Sequence, residues 1–218
     1  MNLALFGSGE FTNTVDDIDD YLIKTYKPRS IAVIPTAAGK EKDYYKWIEM
    51  AEEHYRKFNV EVIPVPVTSI EQSNKQEYSI LVEKADWIFF SGGDPNYLLT
   101  VLKDSNLWET VLKKYNSGTL LSGSSAGAMI MGTYLLSSPF RDIIKPTASD
   151  WKPAFNLVPF TIFPHFDKFK RHPNVLNRLI FNSPNEIKSS WIGIDENTAL
   201  LLKDTERIVL GTGQIEVH

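Results

Sequence analysis

The run Gly123-Ser124-Ser125-Ala126-Gly127 raises the first chemical question in this sequence. It reads G-x-S-x-G centred on Ser125, after an apolar run and before a helix start built of small residues. A serine in a sharp strand-to-helix turn needs glycine two residues before and after it, because side chains there would collide. The next backbone N–H, from Ala126, then points to where an oxyanion would form. Ser124 is a second candidate, but its neighbours two positions away are Ser122 and Ala126, so the glycine spacing favours Ser125. The same run would also serve close packing of a helix on a sheet, so the rest of the chain has to decide.

A serine nucleophile needs a base, and the chain holds 4 histidines. His54 falls in an amphipathic helix pattern, which implies a solvated or partly packed surface position. His218 is the final residue, where fraying is expected. His172 precedes Pro173 at a helix start, a loop or capping position. His165 closes the extended run Thr161-Ile162-Phe163-Pro164, at a strand end of the kind that carries catalytic side chains. A structural histidine bonded to backbone is its competing account. The acid that orients an imidazole would come from Asp195 or Glu196, which follow Trp191-Ile192-Gly193-Ile194; either could be a turn residue. The candidates run serine, histidine, acid, unlike the serine, acid, histidine order of an α/β-hydrolase.

The elements that must position these residues follow from hydrophobic patterning. Asn2–Phe6, Ser30–Pro35, Val60–Val67, Asp86–Phe90 and Thr119–Ser122 read as buried strands. Thr14–Tyr26, Lys42–Phe58 and Leu107–Tyr115 carry helical patterns between them. Such alternation predicts a mostly parallel sheet with helices on both faces, an α/β Rossmann-like three-layer sandwich. After Gly132 the pattern predicts an extended segment over Phe155–Phe163 and a helix over Asn174–Phe181. Short strands follow at Ile187–Ile194, Ala199–Leu202 and Ile208–Leu210, the last two antiparallel around Lys203-Asp204-Thr205-Glu206. Thr133–Trp151, with Phe140-Arg141-Asp142, reads as irregular, a segment that in a fold of this kind could form a lid over the site. No linker or repeat divides the 218 residues, so one domain over 1–218 is expected.

The totals exclude several function classes. A net charge of -4 without a basic run argues against nucleic acid or an anionic membrane as partner. The absence of cysteine removes disulfides, thiolate zinc sites and a cysteine nucleophile together. With few histidines as well, a metal cluster would have to be carboxylate-only, and neither metal nor cofactor is expected. The turn Gly7-Ser8-Gly9 lacks the longer dinucleotide fingerprint and reads as a wall of the cleft at the strand ends. The N-terminal stretch lacks a basic segment and no apolar run approaches a membrane span, so a cytoplasmic location is expected.

Several segments together resemble the serine peptidase family that includes dipeptidase E and cyanophycinase, which shares the fold of class I glutamine amidotransferases. "SGSSAGAM" is similar to its G-x-S-A-G-A elbow, "FPHF" to its histidine motif and "GIDENTA" to its G-[IL]-x-E acid motif. "SGGDPNYLL" resembles its Gly-Gly-[Asn/Asp] turn and following helix, and "FGSGE" its first-strand turn. The resemblance implies Ser125 as nucleophile, His165 as general base and acid, and Glu196 as orienting carboxylate in preference to Asp195. It also implies oxyanion donors at the backbone N–H groups of Gly93 and Ala126, with Gly92 and Asp94 beside the substrate. The amidotransferases carry cysteine at the elbow, so the serine here argues against their chemistry.

The activity this implies is exopeptidase cleavage of short peptides, Asp-X dipeptides among them, through an acyl-enzyme. A substrate carboxylate would need cations, and Lys168, Lys170, Arg171 and Arg178 follow His165. The R-G-R pattern of cyanophycinase after the histidine is missing, which favours small peptides over cyanophycin. An esterase or amidase on the same triad is one alternative, and a catalytically inactive binding or regulatory homologue is another. A monomer or homodimer is expected.

Overall fold

The computed structural model describes residues 1–137 and 150–218. The five strands β1 (Asn2–Phe6), β2 (Ser30–Ile34), β3 (Glu61–Pro64), β4 (Trp87–Phe90) and β5 (Leu120–Ser124) lie parallel, in the order β3-β2-β4-β5-β1. Then come β6 (Tyr134–Leu136) and β7 (Trp151–Pro153), an antiparallel pair, and β8 (Thr161–Phe163) and β9 (Trp191–Ile194), which pair in parallel. β10 (Thr198–Lys203) and β11 (Glu206–Gly211) extend the large sheet antiparallel from β1, giving seven strands. β12 (Ile215–Val217) closes a small sheet with β9 and β8.

The period of two along each strand builds both cores. Leu3 and Leu5, Ala32 and Ile34, and Ile88 and Phe90 join one apolar cluster; Ala4 and Phe6, Ile31 and Val33, and Trp87 and Phe89 join the other. Helices Asp16–Tyr26 and Lys46–Arg56 cover the second face through Ile18, Leu22, Ile48 and Ala51. Helices Gln76–Lys84, Pro95–Leu102 and Asn106–Asn116 cover the first through Val82, Leu98, Leu102 and Val111. Strands buried on both faces are what parallel sheets require, and the three layers match the α/β expectation. Among the described residues, no helix is long and apolar enough to cross a membrane.

The structure departs from the sequence expectations in four segments and at two histidines. The extended stretch over 155–163 is a strand only at Thr161–Phe163. Asn156 takes a left-handed φ of 54°, and the N–H groups of Leu157 and Val158 both donate to the carbonyl of Met131, wrapping this segment around the preceding turn. The strand expected from Ile187 begins at Trp191, because Pro184 starts a short helix over Asn185–Lys188 that buries Ile187. Pro64 and Pro66 have no N–H for a ladder, and β3 ends at Pro64. Thr133–Trp151 is not wholly irregular, since β6 and β7 pair within and beside it; the lid it could form, with Phe140, Arg141 and Asp142, lies largely outside the described residues. Two histidines are also better held than expected. His54 is buried and paired with Asp19, while His218 exchanges backbone bonds with Trp191 and stacks on its ring at 4.2 Å.

Candidate active site

β5 ends at Ser124, and Ser125 turns the chain directly into helix Ala126–Met129. Ser125 has φ 49° and ψ −109°, a conformation that costs roughly 1–3 kcal/mol for a side-chain-bearing residue. Its surroundings hold it there. A Cβ at Gly123 would run into the carbonyl of Gly127, and a Cβ at Gly127 into the carbonyl of Phe90. The Ser125 N–H donates to Phe6 O at 3.1 Å, tying the turn to the end of β1. Both flanking glycines are therefore obligatory on packing grounds, and they leave the Ser125 hydroxyl at the carboxyl end of the sheet.

His165 follows β8 and precedes helix Phe166–Lys170, with a left-handed φ of 52°. Its Nε2 lies 3.0 Å from Ser125 Oγ, and its Nδ1 lies 2.7 Å from Glu196 Oε1. It is Glu196, not Asp195, that meets the ring. Asp195 turns away, its Oδ2 accepting Lys170 Nζ at 2.8 Å and Gln214 N–H at 3.0 Å. Ser124 is likewise removed from the ring, fully buried with its hydroxyl donating to Glu10.

The helix that His165 begins also clamps the acid loop. Lys168 Nζ reaches Glu196 Oε1 at 2.6 Å, and Asp167 Oδ1 accepts the Glu196 N–H at 3.0 Å. With Lys170 on Asp195, three consecutive contacts fix the loop after β9 to the residues following the histidine. Desolvation raises the Glu196 carboxyl pKa, but hydrogen bonds and charge from Lys168 and His165 outweigh it and leave the group below its ordinary value. An ionised Glu196 keeps the Nδ1 proton on the ring, so Nε2 is left to accept the serine proton.

Two cavities meet at this point, sharing Gly93, Ser125 and His165 as walls. One, of about 430 Å³, is lined by Pro95, Met129, Phe169 and Val175 with Lys168 and His172. The other, of about 350 Å³, is lined by Ser8, Glu10, Thr12, Trp47, Gly92 and Glu196. The first glycine turn is thus a wall of the cleft. Gly93 has φ 139°, and a Cβ there would strike the backbone of Ala37, so this turn too is specified by close approach. Asp94 caps helix Pro95–Leu102, accepting the N–H groups of Asn96 and Tyr97, and pairs with Lys40.

Neither arginine taken from the sequence faces Ser125. Arg171 is exposed beside Asp167 at 4.0 Å, and Arg178 lines a separate groove with Asn174, Phe181 and Lys188. Two residues have roles at the site that sequence reasoning missed. Lys168 was visible only as a substrate cation and is instead bound to Glu196. Glu10 bridges the first and fourth strand-end turns to the elbow, and its place at the end of Gly7-Ser8-Gly9 was the available signal.

The family model described as peptidase family S51 matches residues 3–210. A protein named Peptidase E from Pasteurella multocida (strain Pm70) is 26% identical over 96% of this chain and 89% of its own length. A protein named Cyanophycinase from Geminocystis herdmanii (strain PCC 6308) is 30% identical over 67% of this chain and 54% of its own. The crystal structure of a peptidase from an acI-B1 Actinobacterium superimposes with a TM-score of 0.86 at 30% identity, covering 99% of this chain and 89% of that one.

Proposed function

The chain belongs to peptidase family S51, and from that premise we propose that it is a serine exopeptidase of short peptides, working through Ser125, His165 and Glu196. Family membership and the Peptidase E relatives make it a serine peptidase. The triad, the substrate and the exopeptidase mode are our reading. One observation carries it: a continuous path from Ser125 Oγ to His165 Nε2 at 3.0 Å, and from His165 Nδ1 to Glu196 Oε1 at 2.7 Å.

The Ser125 hydroxyl attacks the scissile carbonyl while His165 Nε2 takes its proton. Glu196 stabilises the imidazolium that results. The N–H groups of Gly93 and Ala126 receive the oxyanion. His165 then returns the proton to the leaving amine, and water repeats the cycle on the acyl-enzyme. The chain acts as one catalytic unit over 1–218 in this scheme, since the turns after β1, β4 and β5 and the loops after β8 and β9 all border Ser125.

A cavity of about 430 Å³ beside the nucleophile suits one or two residues, which favours short peptides over polymers. His172 and Lys168, the latter already paired with Glu196, are the basic side chains in its lining, so Asp-X dipeptides are the first substrates to try. The test is amine release from Asp-X, Glu-X and neutral dipeptides by wild type and Ser125→Ala, alongside labelling by a fluorophosphonate. We expect release from at least one class, lost by about 10⁴-fold or more in Ser125→Ala, together with labelling of the wild type alone. Labelling without cleavage of any peptide, joined by cleavage of simple esters, would replace the peptidase by an esterase. Activity that survives in Ser125→Ala would end the triad reading.

A further inference from the structure

We propose that Glu10 is the anion that receives the substrate's free α-ammonium group, and so makes the enzyme an exopeptidase. This rests on the exopeptidase reading above and adds the group that enforces it. Three carboxylates are buried among the described residues: Glu10, Asp19 and Asp195. Asp19 is paired with His54 and Asp195 with Lys170. Glu10, only 5% exposed, has no cationic partner among the described residues. Its two bonds come from neutral donors, Gly92 N–H to Oε1 at 2.8 Å and the Ser124 hydroxyl to Oε2 at 2.5 Å. A carboxylate offers about four lone-pair directions, so room remains for a cation's hydrogen bonds. A buried charge without a partner is costly, and an arriving ammonium relieves that cost.

The position suits the chemistry. Glu10 lines the smaller cavity with Ser125 and His165. Between the carboxylate and the nucleophile stands Gly92, whose missing side chain leaves the space open. A Cβ at Gly92 would lie 2.9 Å from Glu10 Oε1 and 3.9 Å from Ser125 Oγ. The two oxygens are therefore within about 7 Å of each other. In an attack-ready complex the carbonyl carbon stands about 3 Å from Oγ, the α-nitrogen about 2.5 Å beyond it, and its acceptor about 2.8 Å further on. That reach of roughly 8 Å when extended spans the gap. The other carboxylates near the cleft are occupied: Glu196 by His165 and Lys168, Asp94 by a helix N-terminus and Lys40.

The experiment presents each dipeptide of the panel with a free amine and with that amine acetylated, to wild type, Glu10→Gln and Gly92→Ala. Fluorophosphonate labelling of Ser125 is followed in each protein as a measure of an intact nucleophile. Wild type is expected to favour the free amine by about 10²-fold or more in kcat/KM, the scale of a desolvated charge pair. Glu10→Gln should reduce that preference to within about tenfold, acting on the free-amine form and mainly through KM, with labelling kept within a few-fold. Gly92→Ala, which crowds the space without removing the charge, should weaken the preference less. An equal loss on both forms in Glu10→Gln would overturn the proposal and leave Glu10 as a brace for the elbow. Equal cleavage of both forms by wild type would overturn it as well. Labelling without cleavage of either form would instead bring down the exopeptidase reading itself.

Discussion

Two histidine–carboxylate pairs of nearly the same length, His54–Asp19 and His165–Glu196, sit in very different settings. His54 Nε2 meets Asp19 Oδ2 at 2.6 Å, with side-chain exposures of 2% and 1%. His165 Nδ1 meets Glu196 Oε1 at 2.7 Å, with exposures of 32% and 30%. The first ties helix Lys46–Arg56 to helix Asp16–Tyr26, and Tyr55 adds a bond to the other Asp19 oxygen. The second hangs between two strand-end loops, with a strained serine on the free nitrogen of the ring. The bond alone therefore says little about function. What separates the pairs is what the other ring nitrogen faces: the Ser125 hydroxyl at 3.0 Å for His165, and a second carboxylate, Asp16, at 3.9 Å for His54.

The largest expected difference is in turnover. His165→Ala should lower kcat by about 10⁴-fold or more, as removal of a base that acts with its serine does. Because His165 is partly exposed, thermal unfolding should move little, within about 0.5 kcal/mol. His54→Ala should do the reverse, leaving turnover per folded molecule within a few-fold of wild type. Steady-state assays read beside thermal melts would erase the distinction if both variants lost activity to the same degree.

The next effect is on stability. His54→Ala strands the Asp19 carboxylate in the interior and should cost about 3–5 kcal/mol. If that cost is the unpaired charge rather than lost volume, replacing both residues by leucine should cost less than His54→Ala alone, since no charge is then left to bury. A denaturant series on the single and double variants decides it; a double variant as unstable as the sum of its parts would mean that packing dominates.

The sequence disclosed these two pairs unequally, and the reason is physical. Ser125, His165 and the 195–196 carboxylates each stand where a strand pattern stops, and strand ends in a parallel sheet converge on one edge. Local patterning therefore brought distant residues together without any tertiary knowledge. The central strands were equally legible, because a sheet buried on both faces makes short continuous apolar runs. The His54–Asp19 pair joins two helices on the outer face, and no turn or strand end marks either residue. A faint signal existed: Asp19 shares the stripe of Val15, Ile18 and Leu22, and His54 that of Ala51 and Ile48, so each is a polar residue on a core-facing side. The roles of Lys168 and Lys170 were hidden for another reason. A basic run after the histidine has the same composition whether it meets a substrate or the neighbouring acid loop, and only the path of β9 brings Glu196 and Asp195 within reach.

The smallest predicted effect concerns that lysine clamp, and its sign differs between the two pairs. Lys168 and His165 together hold the Glu196 carboxyl below its ordinary value near 4.5. A carboxyl depressed in the folded state contributes stability that is present above the unfolded value and fades as pH falls through the folded one. Burial pushes the Asp19 carboxyl up from 3.8, with His54 and Tyr55 only partly countering it. Its contribution therefore runs the other way, declining as pH rises above 3.8. Lys168→Met removes one of the two partners of Glu196, and the exposed pair it breaks is worth about 0–1 kcal/mol. Turnover at neutral pH should fall by about fivefold at most, because His165 keeps its bond to Glu196. Stability should lose part of its rise with pH around and below the ordinary carboxyl value of 4.5, measured by denaturant unfolding at a series of pH values. A turnover loss as large as that of His165→Ala would show Lys168 to be in contact with the reacting atoms, and the two pairs would then differ in more than exposure.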